Sequence, residues 1–193
     1  MRQMRLFIAV NFPEQIKKAL GAIIGELRQL PSDAKWVEEH NLHLTLQFLG
    51  NVPAEQVDSI AAALGRSAAG VAPFRLNLNG VGVFPSRARP RVLWAGVSGE
   101  TAVLSRLQHR VQTELGQLGF PAEKRQFSPH LTLARFRSPA GFSAVMERAE
   151  EIVRGLDKFG SAVIDSVELM LSELGARGPS YFVLARTPLS GKK

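Results

Sequence analysis

The sequence predicts an α+β fold: one bilobal domain over residues 1–193, duplicated about a pseudo-twofold, with two antiparallel-rich sheets facing a central cleft and helices outside. Three observations predict it. His43-Leu44-Thr45-Leu46 recurs as His130-Leu131-Thr132-Leu133. The same offset of 87 residues lays Leu6 on Leu93, Phe7 on Trp94, Val10 on Val97, Ile16 on Val103 and Leu20 on Leu107. Strand-like and helix-like apolar periods also follow one another in the same order in both halves. A period this long marks a duplicated unit rather than a solenoid of short repeats.

Taken in order, Arg5 to Val10 is a strand, and Pro13-Glu14 opens a helix carrying Ile16, Leu20, Ile23, Ile24 and Leu27 at helical spacing. Pro31-Ser32-Asp33 ends that helix. Trp36-Val37 and Leu42 to Leu49 read as strand, Gly50-Asn51 as a turn, and Pro53 to Ala69 as a second helix closed by Gly70. Phe74 to Asn79 alternates as a half-buried strand, and Val92 to Val97 follows as another. Ser98-Gly99-Glu100 turns into a helix from Thr101 to Leu118, stopped by Gly119. Phe142 to Val153 is a further helix. Val163 to Leu171 and Tyr181 to Leu184 are two closing strands joined by Gly175-Ala176-Arg177-Gly178-Pro179, and Gly191-Lys192-Lys193 reads as a frayed tail.

The chain has 45% hydrophobic and 21% charged residues, ordinary for a protein with a substantial core. No stretch approaches the roughly 20 apolar residues of a membrane span. The first apolar run stops at Asn11-Phe12-Pro13, too short for a secretory signal, and there is no cysteine, so a reducing cytoplasmic setting and a monomer are expected. A formal net charge of +7 favours a polyanionic partner. Arg87, Arg89 and Arg91 around Pro90 form the densest basic segment, read either as a hairpin at the cleft rim or as a solvated loop.

The repeated tetrad carries the chemistry. On a strand, residues two apart share a face, so each copy presents a histidine beside a threonine and buries two leucines behind them. Two imidazoles with a reference pKa of ~6.5 can divide into a general base and a general acid near neutrality, which suits phosphodiester cleavage without a metal. The hydroxyls of Thr45 and Thr132 would donate to non-bridging oxygens. One such tetrad is more often a satisfied structural strand; two at matched positions favour a site. His40 and His43 with Glu38 or Glu39 do not make a metal centre, because positions 40 and 43 face opposite ways on a strand. His109 lies on the polar side of its helix. The second half has no counterpart to His40, so no metal is expected, and no Gly-rich phosphate loop is present, so no nucleotide cofactor is expected.

The chain resembles the two-histidine phosphoesterases, most closely the LigT-like RNA 2',3'-cyclic phosphodiesterases of the 2'-5' RNA ligase family. The resemblance rests on Asn41 to Gly50, Ser128 to Arg135, Arg5 to Val10, Arg91 to Val97 and Tyr181 to Leu184. It implies hydrolysis of an RNA terminal 2',3'-cyclic phosphate to a 2'-phosphomonoester without cofactor, with His43 as proton donor, His130 as proton acceptor, and Thr45 and Thr132 on the phosphate. The symmetry of the tetrads leaves open which histidine is which. Arg135 also matches the pattern as a phosphate ligand, although strand parity from His130 puts it on the opposite face unless the strand is distorted. The alternatives that stand beside this reading are an RNA-end-binding module without turnover, and a phosphodiesterase for another cyclic phosphate or a 2'-5' oligonucleotide.

Overall fold

The computed structural model describes residues 2–156, 158–176 and 178–192. Along them run β1 (Gln3–Val10), α1 (Glu14–Leu27), β2 (Ala34–Trp36), β3 (Leu44–Pro53), α2 (Val57–Ala68), β4 (Phe74–Ser86), β5 (Arg89–Gly99), α3 (Thr101–Gly116), β6 (His130–Phe136), α4 (Phe142–Arg154), β7 (Gly160–Ile164), β8 (Ser166–Gly175) and β9 (Gly178–Pro188). One sheet has the order β3-β1-β8-β9, the other β2-β6-β5-β4-β7, and every neighbouring pair is antiparallel. α2 and α3 pack on the first sheet, and α1 and α4 on the second.

Each sheet is built from both halves of the sequence. β4 belongs to the first half but lies beside β5 in the second sheet, while β8 and β9 return from the end of the chain to complete the first. The short β2 also crosses, pairing Ala34, Lys35 and Trp36 with Phe136, Arg135 and Ala134. At the matching place in the other half, Gln47 Nε2 donates to Pro121 O at 3.2 Å.

The alternation of the tetrads buries Leu44, Leu46, Leu131 and Leu133 at 2% exposure or less. They meet α1, α2, α3 and α4 through Leu20, Leu27, Ile60, Leu64, Leu107, Val111, Val145 and Ala149 in one continuous core. This apolar layer fixes the register of both tetrad strands, since a slip by one residue would turn the leucines toward the cleft.

The structure corrects four sequence expectations. Gly50-Asn51 is not a turn but lies within β3: Leu49 is skipped between the pairs Leu6–Gly50 and Phe7–Phe48, and Gly50 takes a φ of 74° that relieves the bulge. Val163 to Leu171 is two strands, because the chain leaves the second sheet at Asp165 and enters the first. The segment Gly175 to Pro179 joins β8 to β9 as expected, with Arg177 outside the described residues. The tail is docked at Gly191, whose N–H donates to Val71 O at 2.8 Å, after Leu189 has buried itself; Lys193 lies outside the described residues. Finally, the offset of 87 does not hold for the first strands. Ala9 pairs with Thr45 whereas Trp94 pairs with Thr132, so Ala9 and Trp94 are equivalent and the offset there is two residues shorter.

Candidate active site

The two tetrads sit on the inner faces of the two sheets and treat their histidines alike. His43 Nδ1 lies 2.7 Å from Asn41 O, and His130 Nδ1 lies 2.7 Å from Ser128 O. A carbonyl oxygen can only accept, so Nδ1 carries the hydrogen in both rings and Nε2 is the atom left to take or give a proton. In the first tetrad Nε2 is 3.0 Å from Thr45 Oγ1, the contact that an i, i+2 pair on one strand face allows.

Both imidazoles are held below their ordinary pKa. Burial is the main cause at His43 and pushes it down to about 4; the Asn41 carbonyl opposes this, and the charges of Lys17, Arg135 and His130 add to it. Burial likewise lowers His130, opposed by the Ser128 carbonyl and reinforced by Arg135. The pair is close enough for one ring's charge to act on the other. Both rings are therefore neutral in the empty site near neutrality, and an anion between them would offset what Arg135 and Lys17 impose.

Aromatic rings wedge each imidazole. Phe7 lies 4.8 Å from His43 between ring centroids, and Tyr181 meets it edge-on at 5.1 Å. Phe84 meets His130 edge-on at 5.0 Å, with Trp94 at 6.4 Å. Trp94 reaches there by lying over β4 where Gly82 has no side chain: a Cβ on Gly82 would come within 2.2 Å of its ring. At the equivalent place in the first sheet the bulk is reversed. The small residue is Ala9, and its neighbour is Glu168, 6% exposed. Glu168 accepts from Asn11 Nδ2 and stands 3.6 Å from Arg186 Nε. Lys17 Nζ donates to Asn11 Oδ1 and to His40 O, both at 3.2 Å. Burial lowers the Lys17 pKa, with Glu14 and Glu168 opposing it.

Arg135 requires a correction. Simple parity puts it on the face opposite His130, but β6 carries a bulge: Leu93 pairs with Ala134 and Trp94 with Thr132, leaving Leu133 unpaired. Leu133 and Ala134 are buried in succession, the alternation resets, and Arg135 emerges exposed on the face of His130 and Thr132. Its charge acts on His43, His130 and Tyr181 together, which places the guanidinium at the cleft. β3 bulges at the matching Leu46, and the residue re-aimed there is Phe48, 56% exposed and 6.1 Å from Phe7 between ring centroids. One wall thus offers a guanidinium and the other a bare aromatic face suited to stacking on a base.

The structure brings His43, Thr45, His130, Thr132 and Arg135 together. It leaves His109 exposed on α3, and His40 in a short 3₁₀ turn from Glu39 to Asn41, where its carbonyl accepts from Lys17. Arg87, Arg89 and Arg91 flank the β4–β5 hairpin turn, where Arg87 pairs with Glu150 and Arg91 donates to Arg137 O at 2.9 Å. No group of three or more metal-ligating side chains is gathered among the described residues. No helix among them is long and apolar enough to cross a membrane. Sequence reasoning missed Phe7, Phe48, Phe84, Trp94, Tyr181, Lys17 and Glu168 as site residues. For Phe7 and Trp94 a signal existed in the strand parity that puts an aromatic on the tetrad's face of each neighbouring strand.

Comparison with known proteins gives this geometry a family. The model of the family described as LigT-like phosphoesterase matches residues 10–94 and again 96–181, one match for each tetrad. The chain belongs to the LigT-like phosphoesterases. Among its relatives in this family, the RNA 2',3'-cyclic phosphodiesterase of Thermotoga maritima is 34% identical over 189 residues, covering 97% of each chain. That of Thermus thermophilus is 36% identical over 193 residues, covering 98% of this chain and 92% of the relative. The crystal structure of TT0787, also of Thermus thermophilus, superposes with a TM-score of 0.77 at 33% identity, over 98% of this chain and 100% of that one. Escherichia coli LigT complexed with 3'-AMP gives 0.75 at 27%, over 98% and 99%. As in the sequence reading, this LigT-like phosphoesterase is α+β with two antiparallel sheets and helices outside.

Proposed function

We propose that this phosphoesterase hydrolyses the 2',3'-cyclic phosphate at an RNA end to a 2'-phosphomonoester, using His43 and His130 as an acid–base pair. The observation that carries the reading is the like treatment of the two rings. Each has Nδ1 anchored on the carbonyl two residues before it, which leaves Nε2 as the atom that can exchange a proton. Support for the substrate class comes from the relatives named RNA 2',3'-cyclic phosphodiesterase.

The cyclic phosphate binds between the tetrads, with Thr45, Thr132 and Arg135 donating to its non-bridging oxygens. His130 Nε2 takes a proton from a water as that water attacks phosphorus. The P–O3' bond breaks on the far side, and His43 Nε2–H protonates the departing 3'-oxygen, leaving the phosphate on the 2'-oxygen. The phosphate's negative charge raises both imidazoles from their depressed values, so one of them can hold a proton in the complex. With the 5'-hydroxyl of a second RNA attacking phosphorus in place of water, its proton going to His130 while His43 protonates the departing 3'-oxygen, the same groups would join two ends through a 2'-5' linkage; in water hydrolysis dominates. Both tetrads come from one chain, so a single copy makes the site complete.

The deciding experiment incubates the protein with EDTA and a short RNA ending in a 2',3'-cyclic phosphate, alongside His43→Ala and His130→Ala, and assigns the product. A 2'-phosphate formed by wild type alone is expected. A 3'-phosphate, turnover by either variant at the wild-type rate, or dependence on added metal would overturn the mechanism.

A further inference from the structure

We propose that the cleft extends past the reacting phosphate into a second phosphate site, built from Lys35 and Arg137, that holds the 5'-phosphate of the terminal nucleoside. The inference rests on the proposed function and adds to it a preference for RNA ends over mononucleosides.

Lys35 on β2 pairs directly with Arg135 on β6. Residues opposed in antiparallel strands share a face, so Lys35 lies on the cleft side beside Arg135. Like charges opposed in this way destabilise a sheet, and both side chains are exposed with no carboxylate within 4 Å among the described residues. The arrangement is favourable only with an anion present. Lys35 also crosses toward the other sheet: a Cβ on Gly178, at the start of β9, would lie 3.6 Å from its Nζ. Its ammonium therefore stands between the two lobes.

Beside it is a cavity of about 350 Å³ lined by Arg28, Lys35, Trp36, Glu38, Arg137 and Ala176. Arg28 and Glu38 neutralise each other at 3.1 Å. Lys35 and Arg137 remain, with no acidic partner among the described residues, so the cavity carries an uncompensated positive charge. Trp36 gives it an apolar wall. Neighbouring strands lie ~4.8 Å apart, so a group on β2 is one strand beyond Arg135 on β6, the reach of an adjacent nucleotide's phosphate. In an RNA that ends in a cyclic phosphate, that next phosphate is the one on the 5' side of the terminal nucleoside.

The test compares kcat/KM for a mononucleoside 2',3'-cyclic phosphate and for a dinucleotide ending in the same group, in wild type, Lys35→Ala, Lys35→Arg and Arg137→Ala. Wild type is expected to prefer the dinucleotide. Lys35→Ala should lower its kcat/KM about tenfold, as loss of one charge-assisted hydrogen bond does, and leave the mononucleoside unchanged. Lys35→Arg should keep the preference, and Arg137→Ala should lose part of it. An equal loss on both substrates would assign Lys35 to the reacting phosphate and overturn the proposal, as would no loss on either. If wild type turns over neither, the proposed function fails by itself. Titration with a dinucleotide carrying a terminal 2'-phosphate then decides the second site: weaker binding by Lys35→Ala sustains it, and equal binding overturns it.

Discussion

Phe48 and Arg135 stand at the same place in the two halves, each two residues beyond a leucine that bulges out of its strand pairing. The duplicated frame thus delivers unlike side chains to like positions. Phe48→Ala should raise KM about tenfold for an RNA substrate with little change in kcat, since a stacked base contributes ~1–3 kcal/mol. Arg135→Gln should instead lower kcat, on the order of a hundredfold, by removing a donor to the charged oxygens. Steady-state kinetics with one RNA separates the two.

Removing either imidazole should cost roughly 10²–10⁴ in kcat. The double variant His43→Ala, His130→Ala should be little worse than the weaker single one, because acid and base serve one step. Thermal melts of the three variants check that the fold survives.

Activity should peak on the acid side of neutrality. The productive state has one proton shared by the histidine pair, and both rings are lowered, His43 to about 4 and His130 below 6.5. Free-enzyme kcat/KM should fall as pH rises through the upper of the pair's two apparent values and fall again below the lower one. The kcat profile should lie at higher pH, since bound phosphate favours the imidazolium. A kcat/KM profile flat from pH 5 to 8 would contradict the acid–base assignment.

The depressed His43 also predicts acid sensitivity of the fold. Its folded-state pKa lies below the unfolded value of 6.5, so the associated stability is complete above that pH and is lost as pH falls toward about 4. Between pH 7 and 4.5 urea unfolding should show a loss of stability that is smaller by roughly 2–3 kcal/mol in His43→Gln than in wild type, the His130 contribution remaining.

Gly82→Ala tests the wedge behind His130. The new methyl would meet the Trp94 ring, so either the ring moves or the strand does. Destabilisation of about 1–3 kcal/mol is expected, together with a shifted His130 titration observable by NMR.

The tetrads were legible because their requirement is local: a histidine and a threonine two apart on a strand, with leucines between them. Leu44, Leu46, Leu131 and Leu133 behave accordingly. What lay beyond reading depends on pairing between distant strands. Parity for Arg135 fails because Leu133 is skipped against β5, and nothing in His130-Leu131-Thr132-Leu133-Ala134-Arg135 announces a bulge. The same holds for Gly50, whose turn-like residues serve a bulge inside β3. Glu168 was hidden because its meaning comes from Ala9 and Asn11, more than 150 residues earlier.

The exchange of strands between halves governs when the enzyme comes into being. A nascent chain that has emerged through the first tetrad holds β1 without β8, and β2 without β6. The second sheet is complete only with β7 at Ile164 and the first, which bears His43, only with β9 at Pro188, so the segment bearing His43 cannot mature alone and wait for its partner. Pairings this far apart in sequence carry a large loop-closure cost and slow folding. The two tetrad strands therefore gain their complete sheets only after the chain has been made through Pro188.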